Sequence, residues 1–205
     1  MIARWEQGEV SPSIDNFLEV IEACGFEIPL VLAERDTSLD DRLDKNRHLT
    51  PERRARRLLT ERHAWEEICR DPSLIPNAIE EVLRFDSSVI AWRRKATEPV
   101  EIGGVSIPAD ANLLLLLGSA NRDPAVFANP DRFDIHRQNA KEHLSLGRGA
   151  HYCLGAPLVR LEARVVLEEL STRLPGLRLV PGQRLRFQPN TTFRGPLTLL
   201  VEWDT

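Results

Sequence analysis

The string LGRGAHYCLG surrounds one cysteine with three glycines and one histidine. Gly147 and Gly149 permit backbone angles that other residues avoid. Cys153 stands just before a predicted helix, whose dipole and free N–H groups would stabilise a thiolate at that end. Gly155 is small enough to leave room for a flat group, and His151 adds a basic donor. A thiolate under a flat anionic ligand is what a haem-iron site requires, although an isolated cysteine is more often an ordinary buried thiol.

Three further side chains with chemical capacity lie upstream of the cysteine. Glu81 and Arg84 are spaced i, i+3 in a predicted helix, and such a pair by itself is most often a weak surface ion pair. Arg94 lies in WRRKATEPVEIGG, where the simplest interpretation is a solvated strand arginine. An arginine can also bind a carboxylate with both arms of its planar fork.

The order of these motifs resembles that of a known family. The pattern GxGxHxCLG, within HLSLGRGAHYCLGAPLVRLEA, closely resembles the cysteine-ligand loop of the cytochrome P-450 superfamily, the haem-thiolate monooxygenases. The longer string is similar to the bacterial soluble branch in particular. The resemblance implies that Cys153 is the metal ligand, bound to the iron of haem b (iron protoporphyrin IX). It also implies that four neighbours help to bind the haem: Leu146, Gly147, Gly149 and Gly155.

One position departs from the family pattern. The family usually has phenylalanine where this chain has Leu146, and that aromatic side chain packs near the sulfur and the proximal face of the haem. A leucine still packs there. The leucine leaves open whether the electronic tuning of the iron is that of the family.

The resemblance also implies a buried structural network. Glu81 and Arg84 match the ExxR motif of the family, which implies that the pair locks its helix to the loop before the cysteine. Arg137 lies in NPDRFDIHR, a segment similar to the PERF region, and is expected to join the same network. Arg132 is the alternative for that position.

Two basic residues are implied as partners of the haem propionates. Arg94 matches the RxAT segment of the family, with Arg93 as its alternative. His151 would take a propionate as well. His143 is a weaker candidate, since a lone histidine in a polar segment is usually partly exposed.

The elements that must position these residues are mainly helices with small sheets, an α+β fold. A helix is predicted to begin near Pro76, and VEIGGVSIPAD reads as a hairpin that turns at its two glycines. ANLLLLL is either a strand or a helix start, because periodicity cannot decide. NRDPAVFANPDRFDIHR is predicted to be irregular. A helix follows over about 156–174, with a buried face at Leu158, Leu161, Val165 and Leu170, and TLLVEW is a predicted strand.

Three segments are predicted along the chain. Residues 71–205 form the C-terminal, haem-binding part of a cytochrome P-450-like domain. Residues 36–70 are a charged connector and a polar helix whose arginine run faces solvent. Residues 1–35 contain IARWEQGEVSPSIDNFLEVIEACGFEI, which resembles a truncated helix-turn-helix regulator of the Xre/Cro type. A generic pair of amphipathic helices is the alternative there.

The oxygen-activating motif of the family has no counterpart in this sequence. That motif places an acid or amide next to a threonine in an AGxxT-like run, and residues 1–80 contain none. We therefore identify no catalytic residue beyond the haem ligand and expect the chain not to hydroxylate substrate unaided. Two alternatives are a DNA-binding transcriptional regulator and a rearranged fusion product without a function of its own.

Composition limits the partners. The net charge of −4 gives no broad attraction to nucleic acid, so DNA binding by the incomplete motif is not expected. No apolar run is long enough to span a membrane, and three widely spaced cysteines favour a reducing cytoplasm. The resemblance implies a ferredoxin-type electron donor and a small apolar substrate. The exposed haem-side face is expected to promote association.

Overall fold

Helices make up most of the regular structure. The computed structural model describes residues 52–187, 189 and 191–204, so the helix-turn-helix-like segment lies outside the described residues. Within these ranges the five α-helices are α1 (Glu52–Thr60), α2 (Arg62–Arg70), α3 (Ile75–Phe85), α4 (Leu117–Ala120) and α5 (Ala156–Arg173). Short 3₁₀ helices occupy Pro72–Leu74, Ala140–Glu142 and Gly149–His151. With the small sheets described below, this is the predicted fold class.

In the part of the chain that the structure describes, six short strands pair into three antiparallel ribbons. They are β1 (Trp92–Lys95) with β4 (Asn112–Leu115), β2 (Val100–Ile102) with β3 (Val105–Ile107), and β5 (Arg178–Leu179) with β6 (Val201–Glu202). The predicted hairpin is confirmed: Gly103 and Gly104 both have positive φ, as a two-residue hairpin turn requires. ANLLLLL proves to be a strand that runs into α4. The predicted TLLVEW strand is shortened to Val201–Glu202.

The hydrophobic core lies between α1, α2, α3 and α5. Leu58, Trp65 and Ile68 of the first two helices are fully buried against Leu167 of α5 and its neighbours. Trp65 also donates its indole N–H to the carbonyl oxygen of Pro175 at 3.0 Å. Residues 52–70, which we predicted as part of a connector and polar helix, therefore share one core with the C-terminal part.

The predicted solvated arginine run is wrong for two of its members. Arg56 is buried and forms an ion pair with Asp86. Arg57 lies over the ring of Phe85, with the guanidinium carbon 4.6 Å from the ring centroid. Burial lowers the pKa of Arg56 to about 10. These arginines connect α1 to the end of α3.

The buried face of α5 also differs from the prediction. Leu170 is buried as expected, but Leu158 and Leu161 are 51% and 58% exposed. The face that packs into the core carries Ala163, Val166, Leu167 and Leu170. Helix α5 is therefore apolar on a second side near its start, where it follows the cysteine loop.

Candidate functional site

The cysteine loop, residues 146–155 (LGRGAHYCLG), is held by backbone hydrogen bonds. Gly147 donates to the carbonyl oxygen of Leu144 at 2.9 Å, and Cys153 donates to that of Leu146 at 2.9 Å. Gly147 and Gly149 have φ of 75° and 73°, a conformation that other residues adopt at a cost. The backbone N–H of Cys153 is thus used inside the loop, which fixes the direction of its side chain without engaging the sulfur.

Cys153 presents a free, exposed thiol directly before α5. A Cβ built on Gly155 would lie 3.8 Å from the sulfur, an ordinary van der Waals distance. Gly155 has φ of −79°, so the loop itself does not require glycine there. Leu154 is 97% exposed and Leu146 packs against the core. Cys153 is therefore an exposed residue on a loop that its own backbone hydrogen bonds hold in shape.

Cys69 shows the contrasting environment. It is half-buried against the core, and burial is the main cause that raises the pKa of its thiol. Within the described ranges, no group of three histidine, cysteine, aspartate or glutamate side chains is placed to hold a metal ion. Cys153 therefore offers a single sulfur ligand. A single cysteine sulfur is also the protein ligand of the iron in a haem-thiolate site.

The Glu81–Arg84 pair is fully buried. Arg84 Nε donates to Glu81 Oε2 at 2.7 Å, and Nη2 donates to Oε1 at 2.8 Å. Its remaining N–H groups go to the carbonyl oxygens of Asn121, Pro130 and Arg132 at 2.9, 2.9 and 3.2 Å. All five donors of the guanidinium are thereby satisfied. The pair joins α3 to the irregular segment that precedes the cysteine loop.

Arg137, rather than Arg132, places its guanidinium against Glu81. Its Nε lies 3.2 Å from Oε2 and 3.4 Å from Oε1, and its other nitrogens donate to the carbonyl oxygens of Ala128, Asn129 and Arg132. Arg132 contributes only its backbone carbonyl to this cluster. Glu81, Arg84 and Arg137 thus form one buried group, which we call the Glu81 triad.

Asn121 transmits this arrangement to the cysteine loop. Its side chain is fully buried; Nδ2 donates to the Ser145 hydroxyl at 2.8 Å, and Oδ1 accepts the N–H of Leu144 at 2.7 Å. The Ser145 hydroxyl donates in turn to the carbonyl oxygen of Leu83 on α3 at 2.6 Å. Leu144 and Ser145, just before Gly147, are therefore held by Asn121, and Ser145 is also bonded directly to α3.

A second charged cluster, which we did not predict, surrounds Glu80. Arg160 of α5 donates to both carboxylate oxygens, at 2.6 and 3.0 Å, and His143 Nε2 lies 3.2 Å from Oε2. Burial raises the pKa of Glu80, but the hydrogen bonds from His143 and Arg160 outweigh it and bring the pKa to about 2. His143 is buried, so its expected partial exposure is wrong. The one sequence signal for this cluster was the pair of consecutive glutamates, Glu80 and Glu81, in a predicted helix.

Arg94 and His151 are both exposed, on separate parts of the structure. Arg94 lies on β1, donates to the carbonyl oxygen of Arg93 at 2.9 Å and lies over the ring of Trp92 at 5.7 Å. In the β1–β4 register Arg94 pairs with Leu113 and Arg93 with Leu114. Because side chains alternate along a strand, the two arginines face opposite sides of the ribbon. His151 ends the 3₁₀ helix of the cysteine loop.

The described part of the chain thus contains, in order, a helix with a buried Glu-x-x-Arg pair, an irregular segment, and a glycine-framed cysteine before a long helix. The sequence model of the family described as Cytochrome P-450 matches residues 70–173. The chain belongs to the cytochrome P-450 family, and that family implies a haem cofactor.

Known proteins agree with this assignment over much of the chain. Cytochrome P-450 105A3 of Streptomyces carbophilus is 48% identical over 135 residues, which are 65% of this chain and 33% of that protein. The crystal structure of an intact type IV self-sufficient cytochrome P-450 monooxygenase is 51% identical with a TM-score of 0.73, covering 75% of this chain and 20% of that one. Cytochrome P-450 CREJ in complex with (4-ethylphenyl) dihydrogen phosphate is 38% identical with a TM-score of 0.74, covering 99% and 46%.

The match covers only part of each curated relative. The chain spans about a third of the length of the curated relatives it matches. None of the helices in the described part of the chain is long and apolar enough to cross a membrane.

Proposed function

We propose that the chain is the haem-binding part of a cytochrome P-450 monooxygenase and binds haem b through the Cys153 thiolate. The observation that carries the proposal is the exposed sulfur of Cys153 on a loop whose backbone is fixed by glycines and tied to α3. Helix α5 begins three residues after the cysteine, at Ala156. Haem, when bound, would supply the oxygen chemistry of the family, with a thiolate ligand that donates electron density to the iron.

The neighbours of Cys153 fit a flat cofactor. Gly155 leaves the side of the sulfur open, although the loop backbone does not need glycine there. The exposed side chains of Leu154, Leu158 and Leu161 offer apolar surface at the start of α5. Glycine at 147 and 149 lets the backbone approach closely. Burying these leucines against a porphyrin would contribute hydrophobic stabilisation that water cannot give them.

Arg94 and His151 bind the propionates in this proposal. Both side chains are exposed and carry donors suited to carboxylates. Arg93 faces the other side of the β1–β4 ribbon, so only one of the two arginines can serve. An Arg94→Gln variant should therefore weaken haem retention, whereas Arg93→Gln should retain it.

The Glu81 triad acts structurally in this function. It holds the segment before the cysteine loop in place through Asn121, so the sulfur keeps one position relative to α3 and α5. One related whole protein is named the Mycinamicin IV hydroxylase/epoxidase of Micromonospora griseorubida. We propose a small organic substrate and a ferredoxin-type electron donor for the corresponding whole protein. We propose that the 205 residues alone do not catalyse the reaction, because residues 1–80 contain no AGxxT-like run with an acid or amide beside the threonine.

One spectroscopic experiment tests the haem ligand. The chain is loaded with haem, reduced and treated with carbon monoxide, and its spectrum is compared with those of Cys153→Ala and Cys69→Ala. We expect the thiolate-type band in the wild type and in Cys69→Ala and its loss in Cys153→Ala. Retention of the band in Cys153→Ala would refute the proposal, and so would the absence of any haem binding by the folded wild type.

A further inference from the structure

Glu80 bonds to residues on both sides of Cys153 in the sequence. On the N-terminal side, Glu80 accepts from His143, which stands ten residues before Cys153. On the C-terminal side, Glu80 accepts two hydrogen bonds from Arg160, seven residues after Cys153. Arg160 also donates to the hydroxyl of Tyr152 at 2.9 Å, and Tyr152 directly precedes the cysteine. One carboxylate on α3 therefore reaches both flanks of the sulfur.

The histidine in this cluster has a defined proton position. The N–H of Ser145 donates to His143 Nδ1 at 3.2 Å, so Nδ1 must be an acceptor. The ring proton then lies on Nε2 and is donated to Glu80 Oε2. This assignment connects Glu80 to Ser145, whose hydroxyl is also held by Asn121 and Leu83.

The two consecutive carboxylates of α3 have different tasks. Neighbouring helical residues point about 100° apart, so Glu81 faces Arg84 and Arg137 while Glu80 faces the loop and α5. The Glu81 triad holds the loop only from the side that precedes Gly147. The hydrogen bonds of Glu80, by contrast, join His143, which precedes the loop, to Arg160 of the helix that follows it.

We propose that Glu80 is a positioning residue for the Cys153 sulfur, acting through His143 on one side and through Arg160 and Tyr152 on the other. The inference rests on the proposed haem site for its use, but the restraint on the loop exists in the protein without haem. Glu80 touches neither the sulfur nor a cofactor. Its effect is to limit local opening of the loop, so that the sulfur has one position when the iron binds.

Hydrogen exchange of individual amides tests the restraint without haem. The Cys153 amide bonds to Leu146 and the Tyr152 amide to Gly149, so both report opening of the loop. In Glu80→Gln the carboxamide NH₂ competes with the donors of His143 and Arg160. Loss of a hydrogen bond to a charged group predicts about tenfold faster exchange at both amides. Amides of the α5 core, at Val166 and Leu167, should change by less than about twofold.

Two further variants make the test decisive. Glu168→Gln is the matched control, because Glu168 pairs with Arg164 on the exposed side of α5; it should leave loop exchange unchanged. Tyr152→Phe removes only a surface hydroxyl and should accelerate exchange of the Cys153 amide by about two- to fivefold. If Glu80→Gln fails to fold, Tyr152→Phe decides the question. Uniform acceleration across α5 in Glu80→Gln, or unchanged loop exchange in Tyr152→Phe, would overturn the proposal.

A haem-loaded measurement separates this inference from the proposed function. Glu80→Gln should bind haem with a smaller fraction of the thiolate-type band than Glu168→Gln. Failure of the wild type to bind haem would refute the proposed function and leave the exchange result standing. A full thiolate-type band in Glu80→Gln, together with unchanged loop exchange, would refute the positioning role alone.

Discussion

Replacing Arg84 with lysine tests how much the Glu81 triad contributes to stability. The guanidinium uses all five of its N–H groups, two on Glu81 and three on the carbonyl oxygens of Asn121, Pro130 and Arg132. A lysine ammonium has three N–H donors, all on one nitrogen atom. At least two of the five acceptors would therefore lose their partner in a site from which water is excluded.

The expected loss follows from these numbers. A hydrogen bond to a charged group is worth roughly 1.5–3 kcal/mol, so two lost bonds reduce the free energy of unfolding by about 3–6 kcal/mol. A domain of this kind has a free energy of unfolding of about 5–15 kcal/mol in total. Arg84→Lys should thus unfold at a much lower urea concentration, although the charge of the side chain is kept.

The matched control is Arg164→Lys on α5. Arg164 forms a single exposed pair with Glu168 at 2.7 Å, with an i, i+4 spacing. Solvent screens such an exposed pair, so its loss should change the free energy of unfolding only slightly. Urea unfolding of the wild type and both variants, followed by circular dichroism, measures the difference. If the two substitutions reduce the free energy of unfolding equally, the triad does not stabilise the fold as argued.

Three other predictions use urea unfolding, and one of them adds a measurement of haem retention. Leu167→Ala should cost about 2–5 kcal/mol, whereas Leu158→Ala should cost less than about 1 kcal/mol because its side chain is already half in water; equal costs would contradict the observed core face of α5. Gly147→Ala should lower the free energy of unfolding by about 1–2 kcal/mol because Gly147 has a positive φ. Gly155→Ala should leave the free energy of unfolding nearly unchanged but reduce haem retention. Normal haem retention in Gly155→Ala would contradict the proposed role of Gly155 beside the sulfur. Glu80 has a folded pKa of about 2, below the roughly 4.3 of an unfolded glutamate, so its stabilisation is present above that unfolded pKa and is lost as the pH falls towards 2. Glu80→Gln should flatten that part of the pH dependence, and an unchanged slope would contradict the assignment.

Local patterns predicted the elements well because their causes are local. Proline near the start of α3, two glycines in the β2–β3 turn and the end of α5 before Pro175 each act within a few residues. Periodicity marks an apolar face but does not say what covers it. That is why Leu158 and Leu161 were predicted to be buried and are instead exposed, since α5 is apolar on two sides near its start.

Long-range charge partners could not be predicted in the same way. Glu80 finds His143 and Arg160 at separations of 63 and 80 residues along the chain. No spacing rule connects residues that far apart, because their proximity depends on how α3 packs against α5 and the cysteine loop. The Glu81–Arg84 pair was accessible only because its i, i+3 spacing matches a motif of the family. Its third member, Arg137, needed the folded structure to be distinguished from Arg132.

The irregular segment from Asn121 to Asn139 shows how side chains can replace a backbone ladder. A chain without helix or strand must satisfy its buried carbonyl groups elsewhere. Here the carbonyl oxygens of Asn121, Pro130 and Arg132 accept from Arg84, and the N–H of Asp134 donates to Glu81. Two guanidinium groups face one carboxylate in the triad, so these carbonyl dipoles also offset the surplus positive charge. The segment therefore depends on the triad for its order, and the triad depends on the segment for its charge balance.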